Sequence, residues 1–150
     1  MDGTEFLWFY LLNNIGMKKF IIALLAAMIL VPSMADAQIK TLGNFRVGQV
    51  KLNHANDGYY LILKSDNTWL DTSRNLHLGF NKEEALKLLD RMMEIHVEGI
   101  PFSFNDAYGN RFYYSNHKHS ATIHFDGWYG TSEIGKSELK RIKAKIEKHK

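Results

Sequence analysis

The chain contains no cysteine among its 150 residues. That absence excludes disulfide staples, thiolate nucleophiles and thiolate metal sites, and it excludes lipid attachment to a cysteine behind a leader. Only two prolines occur, Pro32 and Pro101, while 45% of the residues are hydrophobic and 13% aromatic. Such a composition builds a packed core rather than a disordered or proline-rich extended chain. Motifs of common chemistry are missing as well. There is no G-x-S-x-G elbow, no glycine-rich phosphate loop, no G-x-G-x-x-G, and no H-x-x-x-H pair with its adjacent glutamate. Asp57, Asp66 and Asp71 lie near one another in sequence, but nothing sets two of them across a cleft as glycoside hydrolysis requires.

Long apolar runs are also scarce. The longest is Phe20–Val31, a dozen residues, against the roughly 20 that cross a bilayer core. Lys18 and Lys19 precede it, and Pro32 and the triplet Ala35-Asp36-Ala37 follow it. A positive segment, an apolar segment and small residues one and three positions before a cut make a secretory signal peptide. Residues 17–37 are read as that signal, with cleavage leaving Gln38 as the mature terminus. Residues 1–16 are read as a start assigned too early, with Met17 as initiator, or as an extension of the positive segment. Residues 38–150 are then a single globular domain, long enough to bury a core without staples. The expected location is outside the cytoplasm, periplasmic or secreted, with no transmembrane helix in the mature form.

Charge is unevenly spread. From Lys136 onward seven basic residues stand against two acidic ones, whereas Gln38–Gly135 carries ten basic and eleven acidic. Basic character therefore belongs to one terminal segment, which leaves no broad nucleic-acid face, and no nucleic-acid partner is expected.

Hydrophobic periodicity gives the architecture. Phe45 and Val47 alternate with polar neighbours, and so do Val50 and Leu52. The phase slips at Gly48-Gln49, which reads as one strand with a bulge. Asn56-Asp57-Gly58 is a turn, Tyr59–Leu63 a strand covered on both faces, and Asp71–Asn75 a loop. Leu76, Leu78 and Phe80 alternate in a third strand. Asn81 is a helix N-cap, with Glu84 placed for a capping box. Ala85, Leu88, Leu89, Met92 and His96 make one helical stripe, stopped by Gly99 and Pro101. Ile100–Phe104, Arg111–Ser115 and Ala121–Phe125 are three further strands, with turns at Asn105–Asn110, Asn116–Ser120 and Asp126-Gly127. From about Lys136 a last helix carries Leu139, Ile142 and Ile146 on one face, capped by Ser137 or Ser132. The order β-β-β-α-β-β-β-α predicts an α+β fold of antiparallel strands with two helices packed on the sheet. It also suggests an internal duplication.

Four groups of residues are candidate sites. His117, His119 and His124 could hold zinc through neutral imidazoles, with Asp126 completing or orienting the shell; solvated turn residues are the simpler account. Asn53–Gly58 and Asn105–Asn110 are rich in oxygen ligands but lack the spaced acidic pattern of a calcium loop, and turns use the same residues. Trp69, Trp128 and Tyr129 sit in or beside loops, where aromatic side chains make recognition surfaces. Lys140, Lys143, Lys145 and Lys148 on the last helix could attract anionic lipid or polysaccharide.

Two functions follow. The first is a non-enzymatic exported binding module that uses the aromatic or basic surface on a protein, glycan or anionic envelope component, without a cofactor. The alternative is a small zinc-dependent hydrolase built on His117, His119 and His124.

Overall fold

Asn81 ends the first half's strands by starting a helix, and it does so with its side chain. Its Oδ1 accepts from the Glu84 amide at 2.9 Å, and the Glu84 carboxylate reaches back to the Phe80 amide at 3.0 Å. Two otherwise orphaned donors are satisfied at once. The chain is seen in a computed structural model that describes residues 38–150 apart from 68 and 70. The signal peptide and early-start readings fall on residues 1–37, outside the described residues.

The first half has four strands: β1 (Lys40–Phe45), β2 (Val50–Ala55), β3 (Gly58–Lys64) and β4 (Ser73–Gly79), followed by helix α1 (Lys82–Met93). The second half repeats that order with β5 (Pro101–Asn105), β6 (Arg111–Asn116), β7 (Ser120–Phe125), β8 (Ser132–Gly135) and helix α2 (Lys136–Lys148). Each half forms its own antiparallel sheet with neighbours in chain order. Among the described residues the fold is α+β, with two helices and a duplicated order of strands followed by a helix.

Each half holds one more strand than the periodicity predicts. Around Gly48 the phase slip is a turn and not a bulge. A short 3-10 turn spans Arg46–Gly48, with Arg46 at φ 48° and Gly48 at φ 83°. A bulge and a tight turn both shift the alternation, so the pattern alone does not separate them. β4 starts at Ser73, inside the polar stretch expected to be loop, because an exposed polar strand start has no apolar signature. The short strand β8 had no alternation long enough to detect. Helix α1 ends at Met93, short of Gly99, and His96 lies exposed beyond it. Helix α2 is capped at Gly135, whose amide donates to Glu138 Oε2 at 2.8 Å, instead of by either serine.

The two sheets share one core. Val50, Leu52, Leu61, Leu63, Leu76 and Leu78 face the helices from the first sheet. Phe104, Phe112, Tyr114, Ile123 and Ile134 do so from the second. Ala85, Leu88, Leu89 and Met92 of α1 and Leu139, Ile142 and Ile146 of α2 fill the space against them. Gly79 is required here: a Cβ on it would stand 2.4 Å from the Ala85 amide nitrogen, so only glycine lets α1 start this close to β4.

Arg46 fixes the halves to each other. Its backbone amide donates to Glu138 Oε1 at 2.8 Å, and its guanidinium bonds the Glu133 carbonyl and carboxylate and lies 3.3 Å from Asp66 Oδ1. A hydrogen bond from Ser120, with the smaller help of Arg46 and His117, holds the Glu133 carboxyl below its usual pKa although burial pushes it up.

Candidate functional site

β4 is an edge strand of its sheet, hydrogen-bonded to β3 on one side. Its other side meets the loops of the second sheet, and the Ala107 amide donates to the His77 carbonyl at 2.8 Å. A seam between the two halves therefore runs along β4. Exposed aromatic rings mark both of its ends.

At the Gly79 end, the β5–β6 loop is held by Asp106. This carboxylate, 5% exposed, accepts from the amides of Tyr108 (3.0 Å) and Asn110 (2.8 Å) and from Asn110 Nδ2 (3.1 Å). Asp106 is thus spent on shaping its own loop, the ordinary work of an Asx turn. The loop presents Tyr108, whose ring meets His77 edge-on at 4.3 Å and Phe80 at 5.0 Å, while Tyr60 lies 5.4 Å beyond His77. Tyr108 OH donates to Asp57 Oδ2 at 2.8 Å. That bond, then burial and the charges of Asp57 and Asp106, raise the phenol's pKa. Tyr108 and Phe80 stay about half exposed, at 51% and 50%.

At the Ser73 end, the β3–β4 and β7–β8 loops interlock. The Asp66 amide donates to the Thr131 carbonyl at 2.8 Å, and the Glu133 amide donates to the Asp66 carboxylate. Trp128, 6% exposed, packs against Phe125, and its Nε1 donates to Thr72 Oγ1 at 3.1 Å. Gly130 lies so close to the other loop that a Cβ would come within 2.6 Å of Ser65 Oγ. Out of this joined base project Trp69, 92% exposed, and Tyr129, 94% exposed.

Between the two ends is an open cleft of about 240 Å³ lined by Arg74, Asn75, Asn110, Arg111, Phe125 and Asp126. Residues 74 and 75 come from β4, and the others come from the ends of β6 and β7 and their adjoining loops.

The expected site residues divide accordingly. Trp69 and Tyr129 are exposed on neighbouring loops. Trp128 is corrected from surface contact to buried anchor, because its large apolar ring finds a pocket under the loops and its N–H a partner there. Lys140, Lys145 and Lys148 are exposed on α2. Lys143 instead bonds Asp90 of α1 at 2.6 Å, which raises its pKa, and Glu147 lies 3.9 Å away. The three histidines are not brought together. His117 Nε2 pairs with Thr122 Oγ1 at 3.0 Å, and His124 Nδ1 pairs with the Gly130 carbonyl at 3.1 Å with its ring stacked on Tyr113. His119 is exposed in the turn between β6 and β7. Among the described residues, no group of three His, Cys, Asp or Glu side chains is placed to hold a metal ion. Asp126 lines the cleft.

Sequence reasoning missed Arg74, Asn75 and Arg111, which lie in two polar stretches far apart in the chain, and named Asn110 only within an oxygen-rich turn. It also missed a cluster at the end of α2. There Tyr59 OH is 2.8 Å from His149 Nδ1, and the His54 ring lies 4.6 Å from both rings. Burial, followed by the charges of His54, Lys40 and Lys82, lowers the pKa of His149. This cluster joins the end of the last helix to the β2–β3 hairpin.

No family model, curated protein or solved structure matches the chain.

Proposed function

We propose that the chain is a non-enzymatic binding module, acting outside the cytoplasm, whose contact surface is the seam along β4 and whose ligand is a glycan. The observation that carries this reading is the pair Trp69 and Tyr129, more than nine-tenths exposed on loops that are tied to each other and to a buried tryptophan. Large aromatic side chains left in water forgo burial worth about 1.5–3 kcal/mol for a ring of phenylalanine size. Held on a hydrogen-bonded base, they offer flat apolar faces at little entropic cost on binding. The C–H faces of sugar rings suit such platforms, and sugar hydroxyls suit the amides and charged groups of the cleft beside them.

Titration of the tryptophan fluorescence with a panel of soluble polysaccharides tests the reading. A saturable change is expected for at least one polysaccharide, lost when Trp69 and Tyr129 are both replaced by alanine. Binding that survives the double replacement would place the contact elsewhere.

A further inference from the structure

We infer that the cleft between Arg74 and Arg111 receives a carboxylate, so that the glycan bound at the seam is built from uronic acids. The inference rests on the glycan reading above and adds the chemical class of the sugar.

Arg74 comes from β4 of the first sheet and Arg111 from β6 of the second, and the fold brings both to one cleft. Among the described residues neither forms an ion pair, whereas Arg46 and Lys143 do. Two guanidinium groups facing one cavity repel each other, and an oxyanion between them converts that repulsion into charge-assisted hydrogen bonds. Arginine is well suited to this, since its planar fork of donors matches the two oxygens of a carboxylate.

The rest of the lining narrows the anion. Asp126 borders the same cleft, and its neighbour in the ladder is set by the Asp126 amide meeting the Arg111 carbonyl at 3.5 Å. Two cations and one anion suit a monoanion better than a phosphate dianion, which the aspartate would repel. A free carboxylate on the protein also needs hydroxyl donors, and a sugar acid presents these next to its own carboxylate. Asn110 is already oriented: its amide nitrogen donates to Asp106 at 3.1 Å, which leaves its side-chain carbonyl as an acceptor. Asn75 adds one donor group and one acceptor. A volume of about 240 Å³ is below the ~300–1,000 Å³ of drug-sized sites and fits one ring-sized unit, with neighbouring units left to the exposed rings at either end of β4.

The test is calorimetric titration of the full chain with three oligosaccharides: tetragalacturonate, its methyl ester, and an oligomannose bearing a terminal phosphate. Tetragalacturonate should bind at least about ten-fold more tightly than its ester, the scale of one lost charge-assisted hydrogen bond. Arg74→Gln and Arg111→Gln should each remove about ten-fold from binding of the acid and clearly less from binding of the ester. Both positions are exposed, so unchanged melting curves are expected to accompany these losses. Tighter binding of the phosphorylated sugar, or equal binding of acid and ester, would overturn the carboxylate. Arginine variants that bind the acid like the parent would overturn the site. If the acid and its ester bind alike and Trp69→Ala with Tyr129→Ala abolishes both, the glycan surface stands and only the inference about the cleft falls.

Discussion

Trp128 Nε1 donates to Thr72 Oγ1 across 3.1 Å, from the β7–β8 loop of the second sheet to the β3–β4 loop of the first. The two residues are far apart in the chain, and their bond makes one platform of two loops. Trp69 and Tyr129 are carried by that platform, so the placement of two exposed rings depends on a buried residue.

Removal of the anchor should therefore act twice. Trp128→Ala deletes a buried ring and should cost about 3–5 kcal/mol in denaturant unfolding, the range for large aromatic truncation. Thr72→Val keeps the volume but strands the indole N–H, and should cost about 1–3 kcal/mol. Under conditions where Thr72→Val is fully folded, its glycan affinity should also fall, because the rings lose their fixed spacing. Unchanged affinity would show that the platform is held by the remaining backbone bonds alone.

The core makes a cleaner test. Leu89 is fully buried on α1 and Lys87 is exposed on the same helix. Leu89→Ala should lower stability by about 2–5 kcal/mol, and Lys87→Ala by no more than about 0.5 kcal/mol. Equal losses in urea midpoint would mean that the helix presents a different face.

Helices and apolar strands were legible because their signals are local and periodic. The stripe Ala85, Leu88, Leu89 and Met92 and the stripe Leu139, Ile142 and Ile146 are buried as their spacing predicts. What escaped was either too short or too polar to carry a period. β8 has four residues, and β4 begins with exposed Ser73 and Arg74. Half of the site was legible too, since Trp69 and Tyr129 are large rings in loops. Trp128, beside Tyr129, has the same local signature but the opposite fate, decided by a pocket that only the folded chain contains. The arginine pair was invisible, because Arg74 and Arg111 are brought to one cleft by the docking of two sheets and not by any spacing in the sequence.

Gly79 was equally silent in sequence, yet a Cβ there would meet Ala85 N at 2.4 Å and Glu84 Cβ at 2.6 Å. Those atoms belong to the capped first turn of α1 and cannot yield without moving the helix. Gly79→Ala should thus be destabilising by about 1–3 kcal/mol, as overpacking is elsewhere, despite its gain in strand propensity. A neutral result in thermal melting would show that α1 can slide on β4.

The His149 cluster makes stability depend on pH. Its pKa in the folded chain is lowered from 6.5 by burial and then by His54, Lys40 and Lys82, and Tyr59 OH lies 2.8 Å from its Nδ1. As pH falls through about 6.5, the unfolded chain takes up the proton before the folded one does. The contribution is complete above that pH and is lost on acidification towards the lower folded value. Urea midpoints measured at pH 7.5 and 5.5 should fall with acid, and His149→Gln should flatten the slope. An unaltered slope in that variant would assign the pH dependence to other histidines.

The basic helix offers the last test, because it competes with the seam as the contact surface. Lys143 cannot count among its free charges, being bonded to Asp90 of α1. Lys140, Lys145 and Lys148 remain exposed, and each is worth only about 1 kcal/mol near an anionic membrane surface. If glycan is held at the seam by Arg74 and Arg111, reversing these three lysines to glutamate should leave its affinity within about two-fold. The long-range attraction that they exert is screened beyond ~8 Å at physiological salt. The folded state should also persist, since Leu139, Ile142 and Ile146 are untouched. The opposite outcome, loss of binding in the triple reversal with Arg74→Gln and Arg111→Gln silent, would move the contact surface from the seam to α2. Retention of the lysine-dependent binding to vesicles of anionic lipid would then identify membrane as the partner in place of glycan.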